Sequence, residues 1–406
     1  MVNRFPFVPS EVEGCVSTSL DTNGGGCSRR QFLARSSLAA AALAAPTIVT
    51  AQAATERRFV FIIQRGAADG LNIVMPTGDP GFAPARGALA IPGGAKLDSM
   101  FTLHPALVET AKMYGDKQAL FAHAVASPYR DRSHFDGQNV LETGGNSAYQ
   151  LRDGWLNRLL TQVPRADASA IAVSATVPVA LRGKVEVASY APSALPDASD
   201  DLLARVTQLY SADTQLHPLW ASAMATRMQT SDLGAQGGAN AAATGALAAK
   251  LLTGANSARI AMIETGGWDT HSGQQGRLTA QLRGLDGMLA ALKTGLGPAW
   301  NDTLVLVATE FGRTVAVNGT GGTDHGTGSA AMLLGGAVSG GRVVADWPGL
   351  SQANLYEGRD LKPTLGLDAL IASALGQHYG IDPAPLAKTL FPEAPYAAFK
   401  ERLIRA

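Results

Sequence analysis

Apolar residues along this chain come in short, unbroken stretches separated by polar loops rich in glycine. Residues 57–64 (RRFVFIIQ) form a continuous apolar run closed by Gly66, the pattern of a strand buried on both faces in a parallel sheet. Residues 118–126, 258–264, 303–308 and 330–334 repeat it, whereas 104–117, 130–142, 274–296 and 363–376 carry helical periodicity. The helix over 130–142 is expected to stop at Thr143-Gly144-Gly145. Strands alternating with helices predict an α/β fold, a doubly wound and mainly parallel sheet sandwiched by helices. Between about 145 and 256 the rhythm loosens. There 155–160 and 202–229 look helical, 170–177 extended, and 234–252 a helix preceded by a loop. This region reads as a mid-chain insertion or cap, not as a separate domain.

The first 53 residues have a different grammar. Ser28-Arg29-Arg30-Gln31-Phe32-Leu33 precedes an Ala/Leu-rich run and the small-residue pattern Ala51-Gln52-Ala53, the layout of a twin-arginine export signal. The mature chain is then expected to span 54–406, periplasmic or secreted, with the twin-arginine translocation machinery as a partner. No later run reaches the ~18 apolar residues a membrane span needs. Cys15 and Cys27 both precede the expected cleavage site, so a metal in the mature protein has only oxygen and imidazole ligands to draw on. Of the 406 residues 46% are hydrophobic, enough for a large core; 16% are charged and the net charge is zero, which leaves no electrostatic footprint for nucleic acid.

Candidate chemistry concentrates where apolar runs open into glycine-rich loops, the ligand-facing edge of an open α/β sheet. Asp269 and His271 follow the run 258–264 and Gly266-Gly267, and suit a cation or substrate, or else an N-cap for the next helix. Glu310 and Arg313 follow the run 303–308, as a ligand and an oxyanion clamp or simply as an ion pair with each other. Asp324 and His325 stand in a segment too glycine-rich for a helix and too polar for a core. The cluster 127–136 (SPYRDRSHFD) places Ser133 at a helix start, where it suits a nucleophile, with Ser133 and Asp136 as a capping box in the bland reading. His104, His123, His217 and His378 lie in helical or strand contexts, where packing is the default.

Together with the twin-arginine pattern, the clusters Arg65-Gly66-Ala67-Ala68-Asp69-Gly70-Leu71-Asn72, Ser133-His134-Phe135-Asp136-Gly137, Gly266 to His271, Thr309 to Thr314 and Thr323 to Gly326 resemble the exported DUF1501 family, grouped with the alkaline phosphatase and sulfatase superfamily. The resemblance implies an alkaline phosphatase-like fold with divalent metal at strand ends and a hydroxyl nucleophile on a helix N-terminus. It carries the nucleophile to Ser133, and one metal site to Asp269, His271 and His325 with Asp324 beside them. Glu310 takes the place of the acid in a second site, and Asp69 supplies the metal-ligating acid that follows the first strand. Phe311 stands where the superfamily has a histidine, which removes one nitrogen ligand there. The expectation is an exported metal-dependent hydrolase of a small phosphate or sulfate ester, holding Zn, Mn, Fe or Ca. Ser133 attacks, His134 shuttles a proton, and Arg130, Arg132 or Arg313 clamps the transferring group. The alternatives are a catalytically inactive relative that binds a metal or an anionic envelope component, and a metal-dependent esterase or lyase.

Overall fold

The apolar runs become strands because each is buried on both sides. In β1 (Arg58–Gln64), Phe59, Phe61 and Ile63 enter one core layer and Val60 and Ile62 the other. In β9 (Thr303–Thr309), Leu304 and Leu306 oppose Val305 and Val307 in the same way. A run without polar positions is thus two faces at period two, each covered by helices. The first layer is covered by α3 (Trp155–Leu160), α6 (Leu367–Tyr379) and α7 (Pro383–Leu390). The second is covered by α1 (Val108–Gly115), α4 (Ala241–Leu252) and α5 (Gln274–Leu296). The computed structural model describes residues 56–164, 169–191, 200–230, 241–254, 257–395, 399 and 401–405. The expected export signal, with Cys15 and Cys27, lies outside the described residues, as does the 234–240 part of the expected loop. No helix among the described residues is long and apolar enough to cross a membrane.

The remaining strands of the main sheet are β5 (Ala119–Ala126), β6 (Ala170–Val173), β7 (Ala188–Ser189), β8 (Ile260–Thr265), β10 (Ser329–Leu334), β11 (Arg342–Val344) and β12 (Leu365–Gly366). Their order is β11-β5-β10-β9-β1-β8-β6-β7, with β12 also on β5. The sheet is mainly parallel, but β10 runs antiparallel to both β9 and β5. No crossover helix lies between β9 and β10, so the chain returns the way it came. A small antiparallel sheet of β2 (Val74–Met75), β3 (Ala95–Lys96) and β4 (Thr102–Leu103) has no counterpart in the sequence reading, because its two-residue strands carry no periodicity. Of the stretch 145–256, the first part is woven into the sheet, since β6 pairs in parallel with β8 and Trp155 sits in the core. The helical stretch 202–229 is broken into Asp200–Tyr210 and Leu216–Thr230, with Asp213 accepting from the amides of Gln215 and Leu216 at the break. Leu209 and Leu219 on these helices are exposed.

Candidate metal centre

In register, Gln64 of β1 lies beside Thr265 of β8 and Thr309 of β9, so three parallel strands end level. The antiparallel β10 begins beside Val125 near the end of β5, which brings the 321–328 loop and the start of α2 (His134–Thr143) to the same edge. All the polar clusters singled out in the sequence therefore meet at one carboxyl edge. Their glycines let the loops abut. At Gly66 (φ +117°) a Cβ would stand 2.7 Å from the Asp269 amide, and at Gly322 one would stand 2.3 Å from the His271 carbonyl oxygen.

After Gly267 the chain is extended, and period two sorts its side chains. Trp268 and Thr270 are buried, while Asp269 and His271 face the centre. His271 Nε2 lies 3.0 Å from Asp269 Oδ1 and 3.0 Å from His325 Nε2. His325 Nε2 is 3.3 Å from Asp269 Oδ1, and His134 Nε2 is 3.4 Å from Asp269 Oδ2. A tetrahedral ion with bonds of about 2.0–2.1 Å places its ligand atoms about 3.3 Å apart, which these contacts match, and the ligand atoms of His134, Asp269 and His325 all lie within 4.8 Å of one another.

The wiring behind the rings fixes their tautomers. His134 Nδ1 is 2.8 Å from Glu310 Oε1, His271 Nδ1 is 3.0 Å from Asp324 Oδ1, and His325 Nδ1 is 2.8 Å from the Arg132 carbonyl. Each Nδ1 faces an oxygen acceptor and must carry the proton, so in the neutral rings each Nε2 presents a lone pair. Two such lone pairs 3.0 Å apart, on His271 and His325, repel unless a cation stands between them. Nε2 of His134 is moreover buried and without a hydrogen-bond partner. The donor set therefore fits a metal ion, with three imidazoles and one carboxylate aimed inward and an oxygen behind every ring.

Electrostatics act in the same sense. Burial pushes the Asp269 carboxyl up, but the Arg313 guanidinium and the nearby histidines outweigh it and hold it below the usual range. Burial likewise raises Glu310, and hydrogen bonds from His134, Gln138 and the Gly66 amide bring it below. The Glu310 hydrogen bond lifts His134, whereas burial and the proximity of His134 lower His325.

The structure brings Asp269, His271 and His325 together and adds His134, which the sequence reading had assigned to proton transfer. Glu310 and Asp324 stand one layer back, each on the Nδ1 side of a histidine. Asp69 is elsewhere: it is buried, pairs with the buried Arg86, accepts from Gln274 and caps the turn at Leu71. It is placed as a structural anion and not as a ligand, because a buried charge finds its partner in Arg86, a residue whose role no motif announced. Arg313 is also buried, its donors turned to the carbonyls of Gly66, Ala67, Trp268 and Thr323 and to Asp269, so it lies beneath the centre and does not face a substrate. Glu310 and Arg313 do not pair with each other. Arg132 pairs with Glu357 and Asp360, and Arg130 donates to the carbonyls of Ser127 and Tyr129. Ser133 occupies the N-cap of α2 but makes no capping hydrogen bond, so the expected capping box is not formed. Its amide donates to the Tyr129 hydroxyl at 3.0 Å, and the residue before it, Arg132, holds a left-handed φ of +63°. That conformation is costly for a side chain of this size.

Among solved structures, the C-terminal periplasmic domain of EcEptC from Escherichia coli, in complex with Zn, aligns over 86% of this chain and 92% of its own at 9% identity, TM-score 0.41. BT1596, a 2-O GAG sulfatase, aligns over 84% and 76% at 10% identity, TM-score 0.37. Alkaline phosphatase from the Antarctic bacterium TAB5 aligns over 71% and 94% at 11% identity, TM-score 0.33. No curated protein sequence matches the chain significantly. The family model described as "Protein of unknown function (DUF1501)" matches residues 56–390, a span that holds every group of the centre, and the chain belongs to that family.

Proposed function

We propose that this protein is an exported metal-dependent hydrolase of a small phosphate or sulfate ester, with His134, Asp269, His271 and His325 as the ligands of one divalent ion. The observation that carries the reading is the group of His134, Asp269 and His325, whose ligand atoms all lie within 4.8 Å of one another, with His134 Nε2 buried and unpartnered and His271 Nε2 3.0 Å from both Asp269 Oδ1 and His325 Nε2. Three imidazoles and a carboxylate suit Zn, Fe or Mn; the oxygen-only preference of Ca is not met. Such an ion, when bound, supplies Lewis acidity and lowers the pKa of an oxygen next to it. Glu310 and Asp324 orient His134 and His271, and hold the Nδ1 protons in place. Ser133 is the candidate nucleophile: its neighbour Arg132 meets His325 through its carbonyl and its neighbour His134 joins the cluster. At the amino end of α2, unpaired amides favour the anion formed on attack.

One observation favours a second reading, a metal- or anion-binding envelope protein without turnover. The guanidinium groups of Arg130, Arg132 and Arg313 are all engaged by the protein itself, which leaves none of the three free to clamp a transferring group. Purified protein loaded with Zn, Mn or Fe separates these. Turnover of an aryl phosphate or aryl sulfate that disappears in both Asp269→Asn and Ser133→Ala supports the hydrolase. One bound ion per chain with neither ester turned over supports the binder. Absence of bound metal by elemental analysis overturns the hydrolase and the metal-binding form of the second reading. For export, replacing Arg29 and Arg30 together by lysine should leave precursor in the cytoplasm.

A further inference from the structure

Away from the metal centre, a cavity of about 660 Å³ opens between the amino-terminal half of α5 and the segment leading into α1. That volume is in the range of small-molecule sites. None of its lining residues touches the histidine cluster. One wall is apolar, from Ile91, Pro92, Pro105 and Val108, the last 54% exposed.

The polar end is made by two donors. His104 is 3% exposed and lines the cavity. Its Nδ1 accepts the Ala106 amide at 3.0 Å, so in the neutral ring the proton sits on Nε2. Burial, followed by the nearby Arg283 charge, lowers the pKa of His104 to about 4, so at neutral pH the ring is an uncharged donor. Arg283 also lines the cavity and forms no ion pair among the described residues. The acid beside it, Asp286, is committed elsewhere, accepting from the amides of Glu109 and Thr110 and from the Thr110 hydroxyl at the start of α1. An imidazole N–H and an exposed guanidinium lining one partly apolar cavity suit acceptor oxygens carrying negative charge, attached to an apolar body.

We propose that this cavity is a second binding site, for a small organic carboxylate whose oxygens meet Arg283 and His104 Nε2 and whose apolar part lies along Val108 and Ile91. The site is independent of the hydrolase reading.

Titration calorimetry of the purified, metal-loaded protein with hexanoate tests it, with hexanol and inorganic phosphate as controls. The expected result is saturable hexanoate binding at least about tenfold tighter than either control. Arg283→Met, at an exposed position, weakens it by a similar factor, and Asp269→Asn leaves it unchanged. Movement of the His104 Nε2 nitrogen resonance on titration supports direct contact. The proposal is overturned by absence of saturable binding, by equal binding of hexanol, by an Arg283→Met variant that binds as the parent does, or by loss of binding in Asp269→Asn.

Discussion

The histidines of the candidate metal centre and His123 of the core differ in which ring nitrogen is tied down, and in what that leaves to bind a ligand. At His134, His271 and His325 an oxygen acceptor takes the Nδ1 proton and Nε2 is left to the centre. At His123 the pattern reverses. Its Nδ1 accepts the Ala124 amide at 2.7 Å and its Nε2 donates to the Val74 carbonyl at 2.8 Å, while Phe101 and Trp347 enclose the ring. The first arrangement leaves a lone pair unspent, and His123 spends both nitrogens on the fold.

The largest effect expected from this contrast is on metal content. Asp269→Ala and His325→Ala each remove a proposed ligand and should lower metal affinity by roughly 10³-fold or more, about 4 kcal/mol. His123→Gln should keep one ion per chain. Elemental analysis after gel filtration checks both, and a His123 variant that loses the ion would end the distinction.

The core histidines should instead govern stability against acid. Burial lowers His123 to about 4 and His378 to about 3, below the ordinary 6.5. Between those values and 6.5 the unfolded chain binds more protons than the folded one, so stability is complete above about pH 6.5 and is lost as pH falls toward 4. At pH 4.5 the His123 contribution alone is about 2 kcal/mol. Urea unfolding across this range should show a shallower pH dependence in His123→Gln than in the parent, at a cost at neutral pH of about 1–3 kcal/mol from disturbed buried hydrogen bonds. Identical slopes would mean that His123 is charged or solvated in the fold.

Moving one layer back from the proposed ion sharpens the contrast further. Asp324 is exposed and reaches the centre only through His271 Nδ1, so Asp324→Ala should weaken metal binding about 10–100-fold and leave the unfolding midpoint nearly unchanged. Glu310→Gln keeps an acceptor for His134 but removes the charge, and should fall at the lower end of that range. Competition with a metal-sensitive chelator dye reads both. An effect as large as that of His325→Ala would place these carboxylates on the ion itself.

The strands and the loops at their ends were legible because burial on both faces leaves an unbroken apolar run, and because glycine is needed wherever loops abut, as at Gly66 and Gly322. Asp269, His271 and His325 stand on such loops, and the structure brings their side chains together. What stayed hidden was set by long-range partners. His134 and Asp69 each look like neighbours of a motif, yet Glu310 is 176 residues from the first and Gln274 is 205 from the second. No local pattern records those meetings. The antiparallel turn of β10 was hidden for the opposite reason, since it depends on a helix that is missing between two strands.

Ser133 carries the smallest expected stability effect and the clearest separation of local from distant wiring. Sequence logic makes it a capping residue, whose loss ordinarily costs about 1 kcal/mol. Asp382 is such a cap, its carboxylate accepting the Ala384 amide at 3.0 Å ahead of α7, and Asp382→Ala should cost that amount. The Ser133 side chain forms no capping bond, and the start of α2 is instead fixed through backbone, by the Ser133 amide to Tyr129 and by the Arg132 carbonyl to His325. Ser133→Ala should therefore change the unfolding free energy by less than about 0.5 kcal/mol, the range of substitutions that break no named interaction. Paired denaturation curves for Ser133→Ala and Asp382→Ala measure the difference directly. A Ser133→Ala cost equal to that of Asp382→Ala would show that its hydroxyl serves the helix, and would take away the reason for a serine without a capping bond to stand next to His134 in the chain.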